Sequence, residues 1–219
     1  MDILFKISLG LWMSLVLVGA FWYAPTAAGL RELSRIIYFH VPSAWVAVLA
    51  YGVAMVQGIY YLRHRDLRSD AKACAAVELG TLFALLATVT GALFARETWG
   101  VYWNWDPRQT TIVVLFFIYV AYFSFRGTLA DAHRRARLSA VYVVFAFSVV
   151  PFLVFILPRA YATLHPSPLL NTGGRVDMNP QMLLVFLAAL AGFTGVFVWM
   201  HNLRWRTEVL LGGGDRDGE

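Results

Sequence analysis

Six stretches of this chain, at about 6–24, 42–62, 74–95, 109–126, 138–157 and 181–201, are apolar over roughly the 20 residues a helix needs to cross a hydrocarbon layer about 30 Å thick. Of the 219 residues, 59% are hydrophobic and 14% are charged, which leaves too little polar surface to solvate a globule of this size. The sequence therefore predicts an all-α integral membrane protein. It has one six-helix membrane domain over 1–219 and no room for a soluble domain. The first run exceeds the apolar core of about 7 to 15 residues found in cleaved leaders, and its one lysine, Lys6, is offset by Asp2. It is read as a span, although Pro25-Thr-Ala-Ala28 offers small residues of the kind found at cleavage sites.

Lysine and arginine set the expected orientation, because they stay on the cytoplasmic side of short loops. Twelve of the 18 flank one side of the six runs, mainly in loops 63–72 and 126–137 and after 203. The other six are Arg31, Arg35, Arg96, Arg108, Arg159 and Arg175. Both termini are thus expected in the cytoplasm. The net charge of +5 is then a topology signal and needs no nucleic acid to explain it. Proline stands at or near the first position of the even-numbered helices in this reading, at Val41-Pro42, Asp106-Pro107 and Asn179-Pro180, with Asp106 and Asn179 as N-caps and Asp106 to Gln109 at capping-box spacing. Pro151 predicts a kink in the fifth span. The tail, 207–219, is expected to be flexible, with Gly212-Gly-Gly-Asp-Arg-Asp-Gly-Glu219 as its solvated end.

The chemistry gathers on the outer side. The loop 96–109 carries Trp99-Gly-Val-Tyr-Trp-Asn-Trp-Asp-Pro-Arg108, with three tryptophans. If that loop is helical, Trp99, Tyr102, Trp103 and Asp106 share a face. Two readings stand for Trp99, Trp103 and Trp105: an interfacial aromatic belt, or a platform for a flat ligand such as a porphyrin. Asp106 is a helix cap, a functional carboxylate, or both. His40 precedes the second helix, and His165 precedes Pro166 in the last outer loop, so both imidazoles can lean over the helix ends. Two imidazoles form a six-coordinate haem site with no open position, which suits carrying haem. His64, His133 and His201 lie among arginines on the inner side and are read as interfacial. Arg35 and Arg108 are candidates to pair with haem propionates, with membrane anchoring as the alternative. Glu78 is expected to be structural, stabilised by the start of its helix and by Lys72. With one cysteine, Cys74, and no C-x-x-C-H motif, any haem is held non-covalently. There is no P-loop, and Lys6 and Lys72 are the only lysines, so nucleotide energy has to come from a partner.

Trp99-Gly100, Trp103, Trp105-Asp106 and Arg108 resemble the tryptophan-rich WWD signature of haem-handling proteins. Arg35-Ile-Ile-Tyr-Phe-His-Val-Pro-Ser-Ala-Trp45 and Thr163-Leu164-His165 resemble the two histidine segments of the cytochrome c maturation protein C (CcmC, haem exporter protein C) family. The resemblance covers essentially the whole chain. It implies a non-enzymatic assembly factor in the bacterial inner membrane that binds haem b at the outer, periplasmic face. His40 and His165 would be the axial iron ligands, with the WWD segment as platform. It further implies delivery to the haem chaperone CcmE, alongside the ATP-binding cassette subunits CcmA and CcmB and the one-helix protein CcmD. The run ending in Asp106-Pro107 also resembles the loop of CcsA-type cytochrome c synthase subunits. An electron-transferring cytochrome b subunit is the rival from another class, and it would hold haem between helices from histidines within the spans. A channel for haem is a third reading, although no charged residue lines a path through the bilayer centre.

Overall fold

In a computed structural model that describes residues 2–166 and 178–214, the chain is helical almost throughout, without a β-strand among those residues. Helix α1 (Ile3–Val18) ends in a π turn, Gly19–Tyr23, and a 3-10 turn, Glu32–Ile36, leads into α2 (Ile37–His64). Then come α3 (Leu67–Trp99), α4 (Pro107–Gly127), α5 (Ala132–Pro151), a π turn at Phe152–Ile156, the short α6 (Leu157–Ala160) and α7 (Pro180–Gly214). With α5, the π turn and α6 taken as one rod, six helical segments are long and apolar enough to cross a membrane. An even number of crossings brings both chain ends to one face. Large apolar side chains such as Trp22, Phe117 and Phe145 project outward, as a lipid surround requires.

Helices α2 and α3 form the central hairpin. They are joined by two residues, with Arg65 in the left-handed region closing α2 and Asp66 capping α3 through a 3.0 Å bond from the Arg68 N–H to Oδ1. Their seam is built from small residues, Ala47, Ala50 and Ala54 against Ala76, Gly80 and Ala84, which let the backbones approach where no hydrophobic force pulls helices together in lipid. Gly80 is required there, because a Cβ would sit 2.7 Å from Tyr51 Cε1. The Tyr51 ring in turn stacks on Tyr119 with centroids 3.6 Å apart, tying α2 to α4. Helix α7 covers α2 and α3 on one side and α1 on the other.

Several expectations need correction. The second helix begins at Ile37 and holds Pro42 inside it, so Pro42 is not its first residue, and His40 belongs to the helix rather than preceding it. Pro42 is the sixth residue of α2, past the four opening N–H groups that have no intrahelical partner, so the helix forgoes the bond that an N–H there would give to the Tyr38 carbonyl. The other two prolines do stand where predicted. Asp106 caps α4 through Arg108 N–H, and Asn179 Oδ1 accepts from Gln181 N–H at 2.9 Å. After Pro151 the helix widens into the π turn, the irregularity the proline forecast. Helix α7 continues to Gly214, so 207–214 is helical where a flexible tail was expected. Arg175 and 215–219 lie outside the described residues.

At the end of the bundle carrying loops 63–72 and 126–137, charge is paired. Arg126 grips Asp70 with two bonds of 2.8 and 2.7 Å, and Arg204 bridges Glu78 and Glu208. Glu78 is structural as expected, with Arg204 as partner in place of Lys72, whose ammonium lies 5.0 Å over the Trp205 ring. His201 is half-buried and donates from Nε2 to the Lys72 carbonyl at 2.9 Å, a more enclosed position than the interfacial one expected for it.

Candidate functional site

The opposite end of the bundle opens into a cavity of about 810 Å³, within the range of roughly 300–1,000 Å³ typical of cofactor-sized sites. His40, Trp99, Trp103, Asp106, Arg108 and His165 all line it. Of the residues the sequence singled out, Trp105 and Arg35 do not. Trp105 is 67% exposed, and Arg35 is held by Glu32 at 2.5 Å and by the carbonyls of Ala20 and Ala24, where it closes the π turn of α1.

His40 is positioned by α3. Its ring lies against Gly91, where a Cβ would come 3.0 Å from Cε1 and crowd the imidazole. Nδ1 is 3.0 Å from Thr90 Oγ1, and that hydroxyl already gives its proton to the Leu86 carbonyl at 2.8 Å. Thr90 Oγ1 must then accept from Nδ1–H, which leaves the lone pair on Nε2 free to bind a metal. Thr90 and Gly91 carried no signal in the sequence, since a threonine and a glycine inside an apolar span are ordinary packing residues.

The tryptophan loop is not helical. Helix α3 stops at Trp99 with Gly100 in the left-handed region at φ 79°, so Trp99, Tyr102, Trp103 and Asp106 do not share a helical face. The loop is fixed by its own amides instead. Asn104 N–H donates to Gln109 Oε1 at 2.9 Å, and Asp106 N–H donates to Asn104 Oδ1 at 3.1 Å. Gln109 thus reaches past Asp106, and the reciprocal capping box does not form. Trp105 takes a φ of 60°, a conformation costly for a side chain of its size, and its ring meets Trp103 edge-on at 5.7 Å.

Asp106 joins the two halves of the site. Oδ1 accepts the Arg108 N–H at 3.0 Å, while Oδ2 accepts from Thr163 Oγ1 at 2.7 Å and Leu164 N–H at 2.9 Å. The His165 N–H returns to Thr163 Oγ1 at 3.1 Å. The carboxylate is therefore both cap and clasp: one oxygen starts α4, and the other holds the segment that carries His165. Burial works against its charge, but the Thr163, Arg108 and Leu164 donors outweigh burial and hold it below the usual aspartate range. His165 Nδ1 lies 3.3 Å from the Pro166 carbonyl, which can only accept, so here too Nε2 carries the lone pair. Burial, aided by the nearby charge of Arg108, pushes His165 down to about 4, so the ring is neutral at physiological pH.

The two imidazoles come together from distant parts of the chain, with centroids 6.2 Å apart and planes inclined by 35°. Among the described residues no three His, Cys, Asp or Glu side chains converge as a site for a bare ion. The pair is suited to a metal that arrives with its equatorial ligands in place.

The family model described as heme exporter protein C matches residues 2–215. Over 177 residues, 80% of the chain, it is 32% identical to the heme exporter protein C of Bradyrhizobium diazoefficiens, and the match covers 66% of that protein, just under two thirds of its length. It is 29% identical to the heme exporter protein C of Rhodobacter capsulatus over 88% of the chain and 80% of the relative. Similarity extends to a putative cytochrome c biosynthesis ccmC-like mitochondrial protein of Marchantia polymorpha, at 30% identity over 80% of the chain and 75% of the relative. With this match running along nearly the whole of a six-span membrane protein, the chain belongs to the heme exporter protein C family of cytochrome c maturation.

Proposed function

We propose that this protein holds haem b non-covalently at the outer, periplasmic face of the bacterial inner membrane, with His40 and His165 as axial ligands, and passes it to the chaperone CcmE. The observation that carries the reading is the imidazole pair. A ring nitrogen binds a transition metal at about 2 Å, so two rings facing each other across one ion have centres roughly 6 Å apart, and the observed separation is 6.2 Å. Each ring has its Nδ1 committed to a neighbour and its Nε2 free. Trp99 and Trp103 line the same cavity and supply aromatic surface for the porphyrin. Trp105, outside the cavity and largely exposed, is available to the acceptor.

A site with both axial positions filled by protein keeps oxygen away from the iron, which fits custody of haem and not its use in catalysis. Release then requires one imidazole to let go, and His165 is the candidate. It sits on a short loop segment held by Asp106 and Thr163, whereas His40 is built into α2. Energy for the cycle comes from the nucleotide-binding partner CcmA with CcmB, and CcmD completes the assembly. The paired-charge end of the bundle faces the cytoplasm in this reading.

An absorption spectrum of the purified protein tests the proposal. Haem-loaded protein should be low-spin and six-coordinate, either His40→Ala or His165→Ala should shift it toward high spin or empty it, and free imidazole should restore the low-spin form. An unchanged spectrum in the double variant overturns the assignment. In a Cys74→Ala background, single cysteines in loops 63–72 and 126–137 should resist an impermeant thiol reagent in intact cells, while a cysteine in the tryptophan loop should react.

A further inference from the structure

The charges paired at the α2–α3 hairpin end are the buried and half-buried ones. Exposed arginines stand around them, and the rule that keeps basic residues on one side of a membrane accounts for their side but not for the helix face each one takes. Two of them continue the line of a groove. This groove, of about 500 Å³, runs along the outward surface between α2 and α5. Trp45, Leu49, Gly52 and Val56 line it from α2, Phe147 lines it from α5, and Gln57 lies at its hairpin end. Gly52 keeps it open beside α5, since a Cβ there would come 3.3 Å from Phe147 Cζ.

Helical spacing carries the face of the groove on to the arginines. Leu49, Gly52, Val56, Tyr60 and Arg63 follow one another at three or four residues along α2, so they form one stripe. Phe147, Val144, Ala140 and Arg137 do the same along α5. At 1.5 Å per residue, Arg63 lies about 9 Å beyond Gln57. The two helices are clamped at this level: a Cβ on Gly58 would come 2.8 Å from Val143 Cγ2, and the Tyr61 hydroxyl donates to the His133 carbonyl at 3.1 Å. The clamp brings Arg63 and Arg137 to the same end of the groove. Both are exposed, and neither takes part in an ion pair among the described residues. The acids nearest to them in the chain, Asp66 and Asp131, are engaged as the caps of α3 and α5. The positive end of the α5 dipole adds to the same field.

We infer that this face of α2 and α5 binds one anionic phospholipid, with its phosphate between Arg63 and Arg137 and an acyl chain along the groove. Guanidinium forks match phosphate oxygens in pairs, and cations at headgroup depth favour acidic lipids. From Trp45 to Gln57 the groove follows α2 for about 18 Å, comparable with the roughly 15 Å that one leaflet contributes to the hydrocarbon layer. A phospholipid answers both halves of the site at once, the apolar length and the cationic end. The inference does not depend on the haem reading.

Native mass spectrometry of the full chain in detergent tests it, with phosphatidylglycerol and phosphatidylcholine of the same acyl chains as probes. One phosphatidylglycerol should be retained about tenfold more tightly than phosphatidylcholine. The double variant Arg63→Gln, Arg137→Gln should hold the two lipids equally. Val56→Trp, which fills the groove from an exposed position, should weaken both. Lys6→Gln with Arg206→Gln removes the same charge from α1 and α7 and should keep the preference. A parent chain without the preference, or a Lys6 and Arg206 control that loses it as fully, overturns the inference by reducing the arginines to a general charge. Displacement of phosphatidylglycerol by an equal concentration of inorganic phosphate overturns it too, since the groove would then contribute nothing. So does a dimer that Val56→Trp dissolves, which would give the groove to a second copy of the chain.

Discussion

The two ends of this bundle treat charge in opposite ways. At the end bearing loops 63–72 and 126–137, Arg126 and Asp70 are almost fully buried and bonded twice, and Arg204 is shared between Glu78 and Glu208. At the cavity end, Arg108 and Arg159 have no acidic partner among the described residues, an indole is held at positive φ, and two imidazoles lie with their centroids 6.2 Å apart. The first end is arranged for stability, since its buried carboxylate and its two half-buried glutamates find guanidinium partners within the chain. The second holds unmet donors and backbone strain, which persist in folded proteins where binding supplies what the chain lacks.

Breaking the paired end should have the largest effect on the fold and the least on the site. Arg126→Ala strands a buried Asp70 carboxylate and should cost about 3–5 kcal/mol, read as denaturant unfolding in detergent. Its folded fraction should still show the parent haem spectrum. A changed spectrum would mean that the two ends are coupled.

The clasp at the cavity end should respond the other way. Asp106→Asn can still cap α4, but turning one oxygen into an amide removes the acceptor for Thr163 Oγ1 and Leu164 N–H. The loss of two bonds to a charged acceptor should cost about 2 kcal/mol, felt as haem retention weakened at least tenfold while Arg108 stays capped. Equal retention in the two forms would reduce Asp106 to a cap.

Acid should produce a smaller change over the usual range. His165 takes a proton in the folded chain only near pH 4, against an ordinary value of 6.5. The unfolded chain therefore binds more protons between those values. This group's contribution to stability is constant above about pH 6.5 and falls as the pH drops toward 4. Haem retention should be flat from pH 8 to about 5 and decline near 4. A midpoint near 6.5 would show His165 exposed to water.

The smallest effect reads backbone strain alone. Trp105→Gly and Trp105→Ala both remove the ring against Trp103, but only glycine is at ease at a φ of 60°. The glycine variant should be more stable by about 1 kcal/mol. Equal stability would mean that the loop relaxes once the ring has gone.

Much of this molecule is legible from local sequence. Six spans follow from hydropathy, because transfer into lipid is decided run by run, and the caps at Asp106 and Asn179 follow because a cap acts within a few residues of itself. The residues of the tryptophan loop were visible, but its conformation was not. Helical periodicity put Trp99 and Trp103 on one face, and Gly100 ends α3 before that face can form. The start of α2 was misplaced because proline best suits a helix's first position, and Pro42 stands instead at the sixth, where it costs the helix one backbone bond.

What the sequence by itself determined is the number of crossings, the helix-capping aspartate and the stock of imidazoles, indoles and guanidiniums at one end. Each of these depends on the partition of a short segment between water and lipid. Only the tertiary structure decided that His40 faces His165, that Gly91 and Thr90 seat one ring while Asp106 and Thr163 hold the other, and that Arg159 lines the cavity while Arg35 does not. Those outcomes depend on how closely small-residue seams let α2 and α3 approach and on the phase a π turn gives to α6. Both are relations between segments, and no segment's own composition carries them.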